Sequence, residues 1–188
     1  MARLYDCPVP RPIRSTRVLC MASKHVAYEI ERLYGTLHDL DALLRARYGG
    51  ADTSLWTHDA LIESWTIHMR NTMHFLRATK PQPDDVLARD FFTGAEWQKL
   101  LPRRPRDDAE KRIDRRIDKE IVHLTYARTK ATPETKSWQM SAITTKVGAE
   151  LQIFLNHVPM DRVEPNFHRR TLDALRTSYA RAADPGAR

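Results

Sequence analysis

The stretch Leu55–Ala78, LWTHDALIESWTIHMRNTMHFLRA, decides how the chain is read. Ile62, Trp65, Met69, Thr72, Met73 and Leu76 fall three or four positions apart, which predicts a helix with one buried face. Asp52, Thr53 and Ser54 offer an N-cap before it, and KPQP at 80–83 stops it. The same turns carry Glu63, Arg70, Asn71 and His74 along a flank of that buried face. Polar groups at the edge of a core are costly unless they are paired or used, so the helix that decides the fold also holds the first candidate site.

Working outward, Tyr28, Leu33, Leu37, Leu40, Leu43 and Leu44 predict a first helix from Ser23 to Tyr48, ended by Gly49-Gly50. After the prolines, DDVLARDFF leads into Thr93-Gly94-Ala95-Glu96, a capping-box pattern that opens a short helix through Trp97 and Leu100. A third long helix is expected from Asp107 and Asp108 to Arg128, with Ile113, Ile117, Ile121 and Leu124 as its stripe. A fourth runs from Thr135 to Val158, with Met140, Ile143, Val147, Leu151, Phe154 and Val158 on one face. Beyond Pro159 and Pro165, Phe167, Leu172, Leu175 and Tyr179 predict a C-terminal amphipathic helix decorated by arginines. No segment reads as a strand and no internal repeat is visible. The expectation is an all-α fold: a mainly antiparallel bundle of four long helices, short connecting helices and a C-terminal amphipathic helix. Residues 1–22 are expected to be a flexible basic arm, 23–160 the bundle domain, and 161–188 the last helix with a disordered tail.

Composition bounds the function. The chain has 188 residues, enough for one domain with a real core, and no run approaches a membrane span. Cys7 and Cys20 make no disulfide framework, so a reducing cytoplasm is expected. The net charge of +7 is unevenly spread: about +4 in residues 1–24, about +3 in 103–116 and about +3 in 169–188. Basic segments around a balanced body suit phosphate backbones. GxGxxG, Walker, GxSxG and HExxH motifs are all missing, which argues against nucleotide-fold enzymes, serine hydrolases and zincins; neither a cofactor nor a metal is expected.

Two constellations carry candidate chemistry. On the second helix, Arg70 and His74 are four apart and share a stripe with Glu63 and Arg77, while His68 lies on nearly the opposite side, beside Trp65 and Thr72. On the third, Arg116, Lys119, His123 and Tyr126 share a face, and Arg128 falls at the helix end. The bland readings are an Arg70–Glu63 surface pair, a satisfied half-buried His68, and cations against a helix dipole. If the two helices pack together, the polar stripes make a cleft for a phosphate or another anion. Asp84, Asp85 and Asp90 form an acidic cluster, read better as capping than as a metal site.

The segments IHMRNTMHF, DDVLARDFF and DKEIVHLTYAR, followed by Trp138, resemble a group of uncharacterised small bacterial helical proteins over roughly residues 25–158. More widely, the chain resembles HEPN domains, helical bundles found among bacterial toxins and defence ribonucleases. Their active members carry an Arg, a polar residue such as Asn, and a following His; here Arg70-Asn71 matches, and His74 follows Arg70 one residue short of that pattern. The resemblance implies a homodimer that cuts single-stranded RNA without metal. In it Arg70, Asn71, and His74 or His123 are catalytic, and Glu63, His68, Arg116, Lys119, Tyr126 and Arg128 bind. The alternative is a non-enzymatic helical interaction module, an antitoxin-like partner or assembly subunit, whose basic extensions bind without chemistry.

Overall fold

The computed structural model describes residues 12–78, 80–93, 95–102, 108, 111 and 140–182. Every regular element among them is helical: α1 (Thr16–Tyr48), α2 (Leu55–Arg77), a 3₁₀ turn (Ala88–Phe91), α3 (Glu96–Leu100), α4 (Met140–His157), a second 3₁₀ turn (Met160–Arg162) and α5 (Phe167–Ala182). The all-α class is as expected, and two of the described helices are long. Apart from Asp108 and Lys111, the expected third long helix lies outside the described residues, as do residues 1–11, Trp138 and the Tyr179 side chain.

Helix α1 starts at Thr16 rather than near Ser23, so residues 16–22, expected in the arm, belong to the helix. The reason is local: Ser15 sits in an extended conformation and its side chain accepts from the Val18 amide at 3.4 Å, an N-cap one turn before a buried Leu19. The buried face carries Leu19, Ser23, Val26, Ala27, Ile30, Leu33 and Tyr34. Tyr28, expected on it, is instead exposed. The helix ends where Gly50 takes φ 87°, a left-handed conformation suited to glycine, and Arg45 and Arg47 stand at the negative end of the dipole.

Helix α2 returns antiparallel to α1. Thr36 meets Ser64 at 3.3 Å, and Glu29, further back along α1, meets His68 and Asn71 further along α2. Trp65, Met69, Met73 and Leu76 are buried as expected, and Trp65 Nε1 donates to Thr144 Oγ1 of α4 at 3.3 Å. At the far end of α2 the core turns aromatic. Phe154 of α4 is wholly buried and meets Phe75, Phe91, Phe92, Trp97 and Phe167 at centroid separations of 5.0–6.3 Å, all nearly edge-on. One side chain thus ties α2, the first 3₁₀ turn, α3 and α5 to α4. Of the expected Thr93–Glu96 capping box only the glutamate half forms: Glu96 Oε2 accepts from the Thr93 amide at 3.3 Å and from its hydroxyl at 3.1 Å. The Glu96 amide donates instead to the Thr93 carbonyl at 3.1 Å, and Ala95, which has no capping side chain, takes the N-cap position.

Helix α5 closes on α1 through charge. The Arg170 guanidinium donates from Nε and Nη2 to both oxygens of Glu31 (2.7 and 2.6 Å), and from Nη1 to Glu164 at 2.6 Å. These two carboxylates push the guanidinium further into its charged form. A folded-state value that is raised contributes stability below the ordinary arginine range and loses it only above the raised value, so no working pH removes this contribution. The Glu164 amide donates to Ser23 Oγ at 2.8 Å, and Ser23 donates onward to the Cys20 carbonyl at 2.8 Å.

Candidate active site

The C-terminal half of α2 runs beside the early turns of α1, and the loop after α2 folds back over both. Pro81 and Pro83 forbid further helix, and the loop turns at Gln82–Asp85, where the Asp85 amide donates to the Gln82 carbonyl at 3.2 Å. That turn returns Asp85 to the helix it has just left. Asp85 Oδ2 accepts from the Gln82 amide at 2.6 Å and lies 2.8 Å from His74 Nε2.

A carboxylate only accepts, so this contact puts the imidazole proton of His74 on Nε2 and leaves Nδ1 as the basic nitrogen. Nδ1 has no hydrogen-bond partner among the described residues, and the side chain is 43% exposed. An imidazole oriented by a carboxylate on one nitrogen and open on the other is the arrangement general acid–base chemistry uses.

Around His74 lies a groove of about 210 Å³. Helix α1 supplies His25, Val26, Glu29 and Ile30, α2 supplies Asn71, Thr72, His74 and Phe75, and the loop supplies Val86. Glu29 organises its polar side: Oε2 lies 2.7 Å from His68 Nδ1 and accepts from Asn71 Nδ2 at 3.1 Å. His68 is 13% exposed, and Tyr28 sits edge-on to it at 5.8 Å with Arg32 over the tyrosine ring at 5.3 Å. Thr72, 2% exposed, lines the groove, and its buried hydroxyl has no partner.

The expected site residues therefore separate. Asn71 and His74 share the groove, and Glu29 couples Asn71 to His68, its neighbour three positions back on α2; Arg70, expected on the side away from His68, is not part of this network. Arg70 stands on the exposed surface one turn before His74, and among the described residues it forms no ion pair, including with the equally exposed Glu63. Arg77 leaves the stripe altogether: it pairs with Glu150 of α4, and both side chains are nearly buried. His123, Arg116, Lys119, Tyr126 and Arg128 lie outside the described residues, so the expected cleft between the second and third helices does as well. The acidic cluster is divided in its duties. Asp85 orients His74, Asp90 accepts from the Leu87 amide at 3.0 Å, and Asp84 is exposed. Among the described residues no group of three His, Cys, Asp or Glu side chains is placed to hold a metal ion.

Sequence reasoning missed Glu29 and His25, and did not pair Asp85 with His74. Glu29 precedes the core residue Ile30 at the margin of the α1 stripe, the one signal that marked it. The Asp85 contact needed the path of the proline turn.

No family model, curated protein or solved structure matches this chain. Among the described residues, no helix is long and apolar enough to cross a membrane.

Proposed function

We propose that this protein binds single-stranded RNA and cleaves it without metal, as a HEPN-like endoribonuclease of toxin or defence type. The observation that carries the reading is His74, held by Asp85 through Nε2 with Nδ1 open beside the groove. In the step proposed, His74 Nδ1 takes the proton of a ribose 2′-hydroxyl and the 2′-oxygen attacks the adjacent phosphorus. The bond from phosphorus to the 5′-oxygen breaks, that oxygen takes up a proton, and a 2′,3′-cyclic phosphate and a 5′-hydroxyl result. Arg70, exposed one turn away, stabilises charge on the phosphate, and Asn71 sets the groove's polar edge. The basic segments hold the RNA backbone. Exposed Ile67 and Tyr28 flank Arg70 and the groove, and these apolar side chains support a homodimer formed through this face.

Purified protein incubated with single-stranded RNA in EDTA tests the reading. Cleavage to cyclic-phosphate ends is expected, reduced about 100-fold or more in His74→Ala and in Arg70→Ala. Unchanged cleavage in either variant, or none in the wild type, would sink it.

A second reading, a non-enzymatic interaction module, is favoured by a different observation. Tyr48, Leu55 and Trp56 bracket the α1–α2 turn and are largely exposed, Trp56 at 86%. An intact RNA substrate together with retention of a protein partner that is lost in Trp56→Ser would favour the module.

A further inference from the structure

The groove holds more than the acid–base pair needs. Its walls are apolar, from Val26, Ile30, Phe75 and Val86. Its polar side is rich in acceptors with capacity left. Glu29 Oε2 is engaged by His68 and Asn71, so Glu29 Oε1 remains open; Asn71 spends its amide nitrogen on Glu29, so Asn71 Oδ1 remains open. The Thr72 hydroxyl is buried and unpartnered behind this lining, closed off from the groove, so the polar contacts open to a ligand are those of Glu29 and Asn71. Glu29 is the one carboxylate in the lining, and no arginine or lysine stands in it. A phosphate is disfavoured there, and a neutral group with apolar faces and an edge of N–H donors is favoured.

We infer that this groove is a base-recognition pocket for guanine, taking the N1–H and N2–H₂ edge on Glu29 Oε1 and Asn71 Oδ1 while the phosphate stays outside, near Arg70. Guanine is the base with two neighbouring donor groups on one edge. Adenine and cytosine put one amino group beside a ring acceptor, and uracil puts one N–H between two carbonyls; each turns a lone pair toward the carboxylate. Rejection is strong where a buried polar group would be left facing another acceptor. The inference rests on the ribonuclease reading only in assigning this base to the substrate; the recognition itself stands on the groove.

The test is calorimetric titration of the full chain with GMP, IMP, AMP, CMP and UMP, which share one phosphate and differ in the base. GMP is expected to bind at least about tenfold more tightly than AMP, CMP or UMP, and more tightly than IMP, which lacks the 2-amino group. Glu29→Gln is expected to lower GMP affinity about tenfold or more and erase the preference. Val86→Trp changes a partly exposed wall residue and so spares the fold; it is expected to block all five nucleotides. Equal binding of the five, no binding of any, or an unchanged GMP preference in a folded Glu29→Gln protein would overturn the pocket. Selective GMP binding without RNA cleavage upholds the pocket and ends the ribonuclease reading. RNA cleavage by a protein that binds the five nucleotides equally or not at all does the reverse.

Discussion

Toward α5, helix α1 presents Ser23 and Glu31; toward α2 it presents His25 and Glu29. Both faces place polar side chains beside the same apolar stripe, and they differ in what is left over. At the α5 seam, Arg170 uses three nitrogens on Glu31 and Glu164, and Ser23 both donates and accepts. That network is closed and serves to fix α5 in place. At the α2 groove, Glu29 Oε1, Asn71 Oδ1 and His74 Nδ1 have no partner among the described residues. Paired polar groups stabilise a fold, whereas open ones are the material of recognition and catalysis.

The comparison breaks if the open face is also structural. His74→Ala should lower RNA cleavage about 100-fold, equivalent to about 2.7 kcal/mol at the transition state. Its stability in urea should fall by no more than about 1 kcal/mol, the worth of the lost hydrogen bond to Asp85. A large loss of stability with the loss of activity would place His74 among the structural groups.

Removing Arg170 should do the opposite. Arg170→Met leaves Glu31 and Glu164 without their cation and is expected to cost about 2 kcal/mol in urea denaturation, below the full cost of breaking a buried pair because the side chains are partly exposed. Cleavage measured well below the melting temperature should not change. Next in size is Ser23→Ala, which orphans the Glu164 amide and should cost about 1 kcal/mol while leaving nucleotide binding intact.

The finest test is a pair of matched substitutions in threonines buried to similar extents. The Thr171 hydroxyl donates to the Phe167 carbonyl at 2.8 Å, and the Thr72 hydroxyl has no partner. Thr171→Val is expected to lose about 0.5–1 kcal/mol in thermal unfolding. Thr72→Val is expected to gain a similar amount, because it removes an unsatisfied buried group, and to leave GMP binding unchanged. A destabilised Thr72→Val protein would show that the hydroxyl is satisfied in solution, and the contrast between the two faces would narrow.

Much of the helical layout was legible in the chain. Helix α2 was expected at Leu55–Ala78 and runs Leu55–Arg77; α4 was expected to bury Ile143, Val147, Leu151, Phe154 and Val158, and does. These readings worked because a repeat of apolar side chains at helical spacing, bounded by glycine or proline, is itself a local physical instruction. The start of α1 was legible in principle as well, since Ser15 is a good cap; the prolines and arginines around it drew the reading toward an arm.

The site was only half legible. Arg70, Asn71 and His74 were visible as polar residues beside a core stripe, because amphipathicity is written into one helix. Their partners were not. Glu29 is 39 residues from His68 and 42 from Asn71, Asp85 reaches His74 around a proline turn, and Arg77 is drawn out of the stripe by Glu150 on another helix. What the sequence by itself determined is which residues are helical and which face of each helix is buried, since both follow from spacing along one segment. Which polar groups are closed by a partner and which remain open was decided only by the tertiary structure, because a hydrogen bond depends on the separation of two atoms in space and not on their places in the chain.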